Sequence, residues 1–291
     1  MRAKIDAMRK LARLKLKWLI LGLALVAIAA VLVILFESGS SNTRNTANSS
    51  NKSKTDTKKP RSELPVMDLQ PTVDAWAAKQ SGTASVVVVD LANDKVVASH
   101  NANRQYFAAS IYKLYVAYVG YQKVADGTYS LSDPYLSGYT RGECLDAMIR
   151  DSYSPCGEKM WNELGREDLT AKMRAYGLKD TSLTGLTTSA KDASIILKKL
   201  FNGDDLTQKY RKLYLDSMKT QPALYRRGLP SGFNDSVVYN KVGWNGLVEW
   251  HDAAIVTLSN GRSYIVSVLT KNIGSKNIVS LARAIENKLS N

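Results

Sequence analysis

An α+β fold is what this 291-residue chain predicts: an antiparallel five-stranded sheet flanked by terminal helices, with an all-helical lobe inserted. Two observations carry the expectation. Strand-like segments stand at opposite ends of the folded part, and nearly everything between them has helical periodicity. Strands distant in sequence are joined most economically in one sheet, with the terminal helices packed on it and the middle folded as a lobe. A hydrophobic share of 45% supplies enough apolar side chains for such a core.

The N-terminal quarter does not belong to that fold. Residues 1–17 form a basic segment with Arg2, Lys4, Arg9, Lys10, Arg13, Lys15 and Lys17. Residues 18–36 are an uncharged apolar run, W-L-I-L-G-L-A-L-V-A-I-A-A-V-L-V-I-L-F. At ~1.5 Å per helical residue the run spans close to the ~30 Å core of a bilayer. A cleaved signal peptide is the alternative, but its apolar region is usually about 7–15 residues and ends in small residues. The reading here is a retained single-pass transmembrane anchor, with a cytoplasmic N-terminus by the positive-inside rule and the rest of the chain outside the cytoplasm. Residues 37–63 are rich in Ser, Asn, Thr and Lys, cannot bury surface, and read as a disordered linker. Residues 64–291 are the folded domain, expected as a monomer. The formal charge of +14 lies mostly in the two N-terminal basic segments, so nucleic acid is not an expected partner.

Within the domain the elements follow in order. A helix is expected at 71–79. A hairpin pairs 85–90, S-V-V-V-V-D, with 95–99 across a turn at Ala92-Asn93-Asp94. Helices are expected at 108–125, 143–150, 155–164, 169–176 and 190–201. Strands follow at 237–241, 251–258 and 262–270, the last two joined by Asn260-Gly261. A helix at 278–289 closes the chain. Pro155 suits the first turn of a helix and no interior position, with Ser154 as its N-cap. The helical segment therefore breaks between Asp151 and Pro155. The break allows the chain to bend back and join Cys144 to Cys156, which lie too far apart on one continuous helix. Two buried free thiols are the other reading. Besides these cysteines the chain has only His100 and His251, so neither a metal nor another cofactor is expected.

The chemistry starts at Y-F-A-A-S-I-Y-K, residues 106–113. Three residues apart on one helix face, Ser110 and Lys113 can touch, and a Lys kept neutral by burial can take the proton of a serine nucleophile. Spacing alone proves little, because Ser49 and Lys52 repeat it inside the linker. Ser152-Tyr153-Ser154 falls in the helix break, where hydroxyls can face a cleft; helix capping is the plain alternative. Lys241-Val242-Gly243-Trp244 ends a strand, placing an ammonium beside open backbone; an edge Lys that discourages strand pairing is the plain alternative.

Taken in order, these three elements resemble the S-x-x-K, S-D-N and K-T-G set of the class A β-lactamase and penicillin-binding-protein superfamily of serine hydrolases. The segment C-L-D-A-M-I-R-D-S-Y-S-P-C at 144–156 looks like the helix–loop–helix around the second motif, and T-T-S-A-K-D at 187–192 resembles the helix start after the active-site loop. The resemblance implies Ser110 as the acylated nucleophile and Lys113 as its general base. It implies Ser152 as the proton relay to the leaving nitrogen, Ser154 as a substrate-amide contact, and Lys241 as the holder of a substrate carboxylate. Next to Gly243, the N–H of Trp244 would form the oxyanion hole with that of Ser110.

Three departures qualify the likeness. Val242 lacks the hydroxyl of the third motif, and Ser154 stands where Asn is usual. No Glu in an E-x-x-x-N pattern follows the helical lobe, where only Glu167, Asp168 and Asp180 occur. The expected function is an extracytoplasmic acyltransferase or hydrolase, acylated at Ser110 by β-lactams or by cell-wall acyl-D-Ala peptides, without fast deacylation. A true β-lactamase and a non-catalytic wall-binding domain are the competing readings.

Overall fold

Pro71, in the first turn of helix α1 (Gln70–Ala77), fills a position where a missing N–H is no loss. The computed structural model describes residues 65–246 and 248–290, and they belong to one compact unit. The segments 1–17, 18–36 and 37–63 lie outside the described residues; among those described, no helix is long and apolar enough to cross a membrane.

After α1 come β1 (Thr83–Asp90) and β2 (Lys95–His100), then the short β3 (Tyr106–Phe107). A single 3-10 turn (Ala109–Ile111) leads into α2 (Tyr112–Ala125). Two short strands, β4 (Pro134–Leu136) and β5 (Tyr139–Thr140), precede α3 (Arg141–Arg150), α4 (Ser154–Glu163) and α5 (Arg166–Ala175). The short β6 (Thr187–Thr188) pairs with β3 and is followed by α6 (Ala190–Asn202) and α7 (Gln208–Lys219). Then come β7 (Val237–Trp244), β8 (Trp250–Thr257), β9 (Ser263–Lys271) and α8 (Ser275–Ser290).

The five long strands form one antiparallel sheet in the order β2-β1-β9-β8-β7, as expected from the two ends of the chain. Its faces are covered differently, and the valine run of β1 shows why it has no polar side. Val86 and Val88 pack with Val73 and Trp76 of α1 and with Ile278, Leu281 and Ile285 of α8. Val87 and Val89 face the core of the helical lobe. The period-two alternation of a strand thus serves two cores at once.

At the centre of the lobe, α2 has twelve of its fourteen residues buried, so it is apolar all round rather than on one stripe. Helix α3 starts with a capping box: Thr140 Oγ1 accepts from the Glu143 N–H, and the Glu143 carboxylate accepts from the Thr140 N–H. One helix, α7, was not expected from the sequence, whose Q-K-Y-R-K stretch looks polar throughout. Burial of Tyr214 and Met218 holds it, and the Tyr214 hydroxyl donates to the Leu114 carbonyl of α2 at 2.7 Å.

The break between α3 and α4 is where the sequence placed it, and Cys144 and Cys156 are bonded across it with Cα atoms 5.0 Å apart. The bond closes a short loop, so its removal acts mainly through the unfolded chain. Replacing both cysteines by Ala is expected to lower stability by about 3 kcal/mol. The urea midpoint reads this, and reduction of the unaltered protein should reproduce it.

Candidate active site

Ser110 sits in the 3-10 turn rather than in a continuous α-helix starting near residue 108. The residue before it, Ala109, has φ +44, a left-handed value that costs an alanine about 1 kcal/mol or more. The kink presents Ser110 half-exposed at the mouth of α2, while Lys113 inside the helix is 0% exposed. The Lys113 amine lies 3.2 Å from Ser110 Oγ, 3.2 Å from Ser154 Oγ and 2.6 Å from the Ser152 carbonyl oxygen. Gly157 of α4 makes this approach possible, since a Cβ there would stand 2.9 Å from Lys113 Cε. Burial pulls the Lys113 pKa down to about 8, against the opposing negative charge of Glu158.

Between α3 and α4 the backbone turns sharply. The N–H groups of Asp151 and Tyr153 both donate to the Ala147 carbonyl, and Ser152 between them has φ +51. This strained residue turns its carbonyl to Lys113 and its hydroxyl to Lys241, whose amine is 3.0 Å from Ser152 Oγ. Ser154 is not the N-cap expected of it. The cap position is Tyr153, which makes no side-chain cap, and Ser154 is the first residue of α4. The Ser154 hydroxyl is at Lys113 instead, and Tyr153 stacks on Tyr139 with ring centroids 5.5 Å apart.

Lys241 is no exposed edge residue. Although β7 is the edge strand, Lys241 is 0% exposed and also donates to the Val242 carbonyl at 2.9 Å. Burial first, and then the charge of Lys113, hold its pKa well below the usual lysine value, with Asp252 opposing. Asp252 is itself wholly buried and is pushed up to about 7, although it accepts from Asn240 Nδ2 at 2.9 Å and the Leu229 N–H at 2.7 Å. Along β7 the alternation places Lys241 and Gly243 toward the helical lobe. Val242 faces the other way, in register with Asp252. A Cβ on Gly243 would be 2.7 Å from Ile111 Cγ1 and 3.0 Å from the Ala108 oxygen, so glycine lets β7 lie against the Ser110 turn. Trp244 ends the strand 42% exposed, its ring 5.3 Å from that of Trp250. Ser110, Lys113, Ser152, Ser154, Lys241 and Gly243 are therefore brought together from three separate elements.

His251 is a residue that sequence reasoning weighed only as a metal ligand. It pairs with Gly243 across the β7–β8 ladder and clamps the Ser110 segment to the sheet. Its Nδ1 accepts from the Thr270 N–H at 3.0 Å, so the ring hydrogen is on Nε2 and is donated to the Phe107 carbonyl at 2.8 Å. Burial lowers its pKa to about 4, keeping it neutral. A lone histidine at the head of the mostly apolar strand 251–258 was the only available signal. His251→Leu leaves a buried N–H and a buried carbonyl unpaired, at about 1–3 kcal/mol each. The expected outcome is a lower thermal midpoint together with slowed acylation of Ser110, measured on the same preparation.

Residues 68–289 match the Beta-lactamase enzyme family. No curated protein matches the chain in sequence. Among solved structures the chain is similar to PBP-A, at 22% identity and TM-score 0.70, over 78% of this chain and 98% of that one. A mutant of PBP-A solved as an acyl-enzyme complex with penicillin G gives 20% identity and TM-score 0.68, over 76% and 95%. An ancestral class A β-lactamase, that of the last common ancestor of Gram-negative bacteria, gives 20% and 0.68, over 75% and 99%. With the matched region spanning the whole sheet and lobe, the chain belongs to the Beta-lactamase enzyme family, is a serine hydrolase, and has the fold of PBP-A and of the class A β-lactamases.

Proposed function

We propose that the protein is acylated at Ser110 by β-lactams or by acyl-D-Ala peptides of the cell wall. The single observation that supports this is the hydrogen-bonded set Ser110, Lys113, Ser152 and Lys241, in which one buried amine reaches the nucleophile and another reaches the relay hydroxyl. Neutral Lys113 takes the Ser110 proton as Oγ attacks the carbonyl carbon. The N–H groups of Ser110 and Trp244 hold the developing oxyanion. Ser152 passes its proton to the leaving nitrogen and is reprotonated by Lys113. Ser154 contacts the substrate amide, and Lys241 attracts a carboxylate of the donor. Penicillin as an acyl donor is in keeping with the PBP-A acyl-enzyme, whose fold the chain shares. Clearance of the acyl group is slow, because Glu167 and Asp168 occupy the first turn of α5 and no loop glutamate of the class A pattern follows.

The same reading places the domain outside the cytoplasm on a single-pass anchor at residues 18–36. The length of that run and the Cys144–Cys156 bond, which suits an oxidising compartment, support the location. True β-lactamase turnover is the second reading; nitrocefin hydrolysis above that of a Ser110→Ala variant would favour it.

Two measurements test the proposal. Incubation with a fluorescent penicillin followed by peptide mapping should place the adduct on Ser110, and its absence there would sink the acylation claim. The pH profile follows from the sign of the Lys113 shift. The base is the neutral amine, so below about pH 8 the acylation rate should rise nearly tenfold per pH unit and level off above it. Lys113→Arg, which keeps a charge that cannot be lost, should reduce acylation by at least about 100-fold.

A further inference from the structure

The Lys113 amine reaches two serine hydroxyls equally well. It lies 3.2 Å from Ser110 Oγ and 3.2 Å from Ser154 Oγ, so the two oxygens are apart by no more than twice that distance. Ser152 Oγ is held differently, 3.5 Å from Lys113 and 3.0 Å from the Lys241 amine, as a relay between the two. A base that activates one of two equidistant hydroxyls can activate the other.

Ser154 has little else to do. Tyr153 is the N-cap of α4, and Pro155 has no N–H for a neighbouring hydroxyl to accept. Among the described residues the Ser154 oxygen accepts from Lys113 alone, and its own hydrogen is donated to none. As the first residue of a ten-residue helix, it stands at the positive end of α4, which favours negative charge developing on its oxygen. It is exposed, so a bulky group attached to it can lie in solvent. Its position is nevertheless fixed, because Cys156 is bonded to Cys144 and Gly157 lies against the Lys113 side chain.

We propose that Ser154 is a second acyl acceptor: the acyl group loaded on Ser110 passes to Ser154, and Ser110 is freed to be loaded again. The inference rests on acylation at Ser110. In the step, Ser154 Oγ bonds to the acyl carbon and its proton passes to the neutral Lys113 amine. The tetrahedral centre then collapses, the bond from the acyl carbon to Ser110 Oγ breaks, and the Ser110 oxygen takes that proton from Lys113. One serine ester is exchanged for another, Lys113 ends as it began, and no further reactant is consumed. Slow clearance leaves the acyl group on Ser110 long enough for the exchange. Asn, the usual residue of the second motif, has no hydroxyl to form such an ester, so the exchange belongs to the departure at Ser154.

The test uses the whole protein with fluorescent penicillin in excess. The unaltered protein should take up one label quickly and a second more slowly, about doubling the bound fluorescence and adding two mass increments to the intact chain. Trypsin cuts after Arg104, Lys113, Arg150 and Lys159, so the two serines fall in the separate peptides 105–113 and 151–159. After reduction of the disulfide, early samples should carry the label on 105–113 and late samples on 151–159 as well, with fragment ions placing it on Ser154. This mapping is read on the unaltered protein and so does not depend on a variant folding. Ser154→Ala and Ser154→Asn should stop at one label, and Ser110→Ala should leave Ser154 unlabelled, since the acyl group arrives there only by transfer. A single label at all times in the unaltered protein overturns the transfer and leaves acylation standing. So does a second label on any residue other than Ser154, or labelling of Ser154 at the unaltered rate in Ser110→Ala. An unaltered protein that forms no adduct on Ser110 at any time overturns both.

Discussion

The burial of one amine governs the rest of the site. Lys113 lies in the most enclosed helix among the described residues, and an ammonium taken from water costs several kcal/mol unless oxygens replace its hydration. Helix α2 cannot provide them alone, because its carbonyls are committed to its own ladder. The oxygens come from Ser110 one turn back and from the strained turn between α3 and α4. That turn must therefore be held at a fixed place. The capping box before α3, the disulfide and the glycine at 157 each serve that end, one by starting the helix, one by tying α3 to the first turn of α4, one by allowing contact.

The sheet supplies the other half by its alternation. At the end of β7 and β8 nearest Ser110 the lobe-facing residues are Lys241, Gly243 and His251, polar or absent side chains, whereas Ala253 and Ile255 further along join the lobe core. Their opposite faces carry Val238, Ala254 and Val256 in the core beneath the terminal helices. β7 is thus half core and half site wall, and it lies at the edge of the sheet, paired on one side only.

Much of this was legible in the sequence, and the exceptions have physical reasons. The five strands and the helix break follow from period and proline chemistry, and the pairing of Ser110 with Lys113 from its spacing together with its place at a helix start directly after the hairpin. Helix α7 escaped because its buried residues, Tyr214, Ser217 and Met218, are few and five of its twelve residues are charged. Ser154 was misassigned as a cap because a hydroxyl before proline fits that role locally, and the stronger claim of the Lys113 amine is a tertiary fact. His251 lies outside the three motifs, so only folding shows it against Phe107.

Two buried lysines around one serine hydroxyl cannot both be charged without mutual repulsion, and the depression of Lys241 by Lys113 expresses this. Their protons belong to the pair, so a proton gained by Lys113 from Ser110 weakens the hold of Lys241 on its own. Ser152 Oγ is 3.0 Å from the one amine and 3.5 Å from the other, so it is placed to shift a proton in either direction without either lysine moving. Asp252 steadies the arrangement from below. Burial pushes its pKa up to about 7, and when ionised its charge favours the proton on Lys241. The ordinary Ser–Lys problem, a base that is too often protonated to act, is thereby eased by burial and by a second lysine that competes for the same proton.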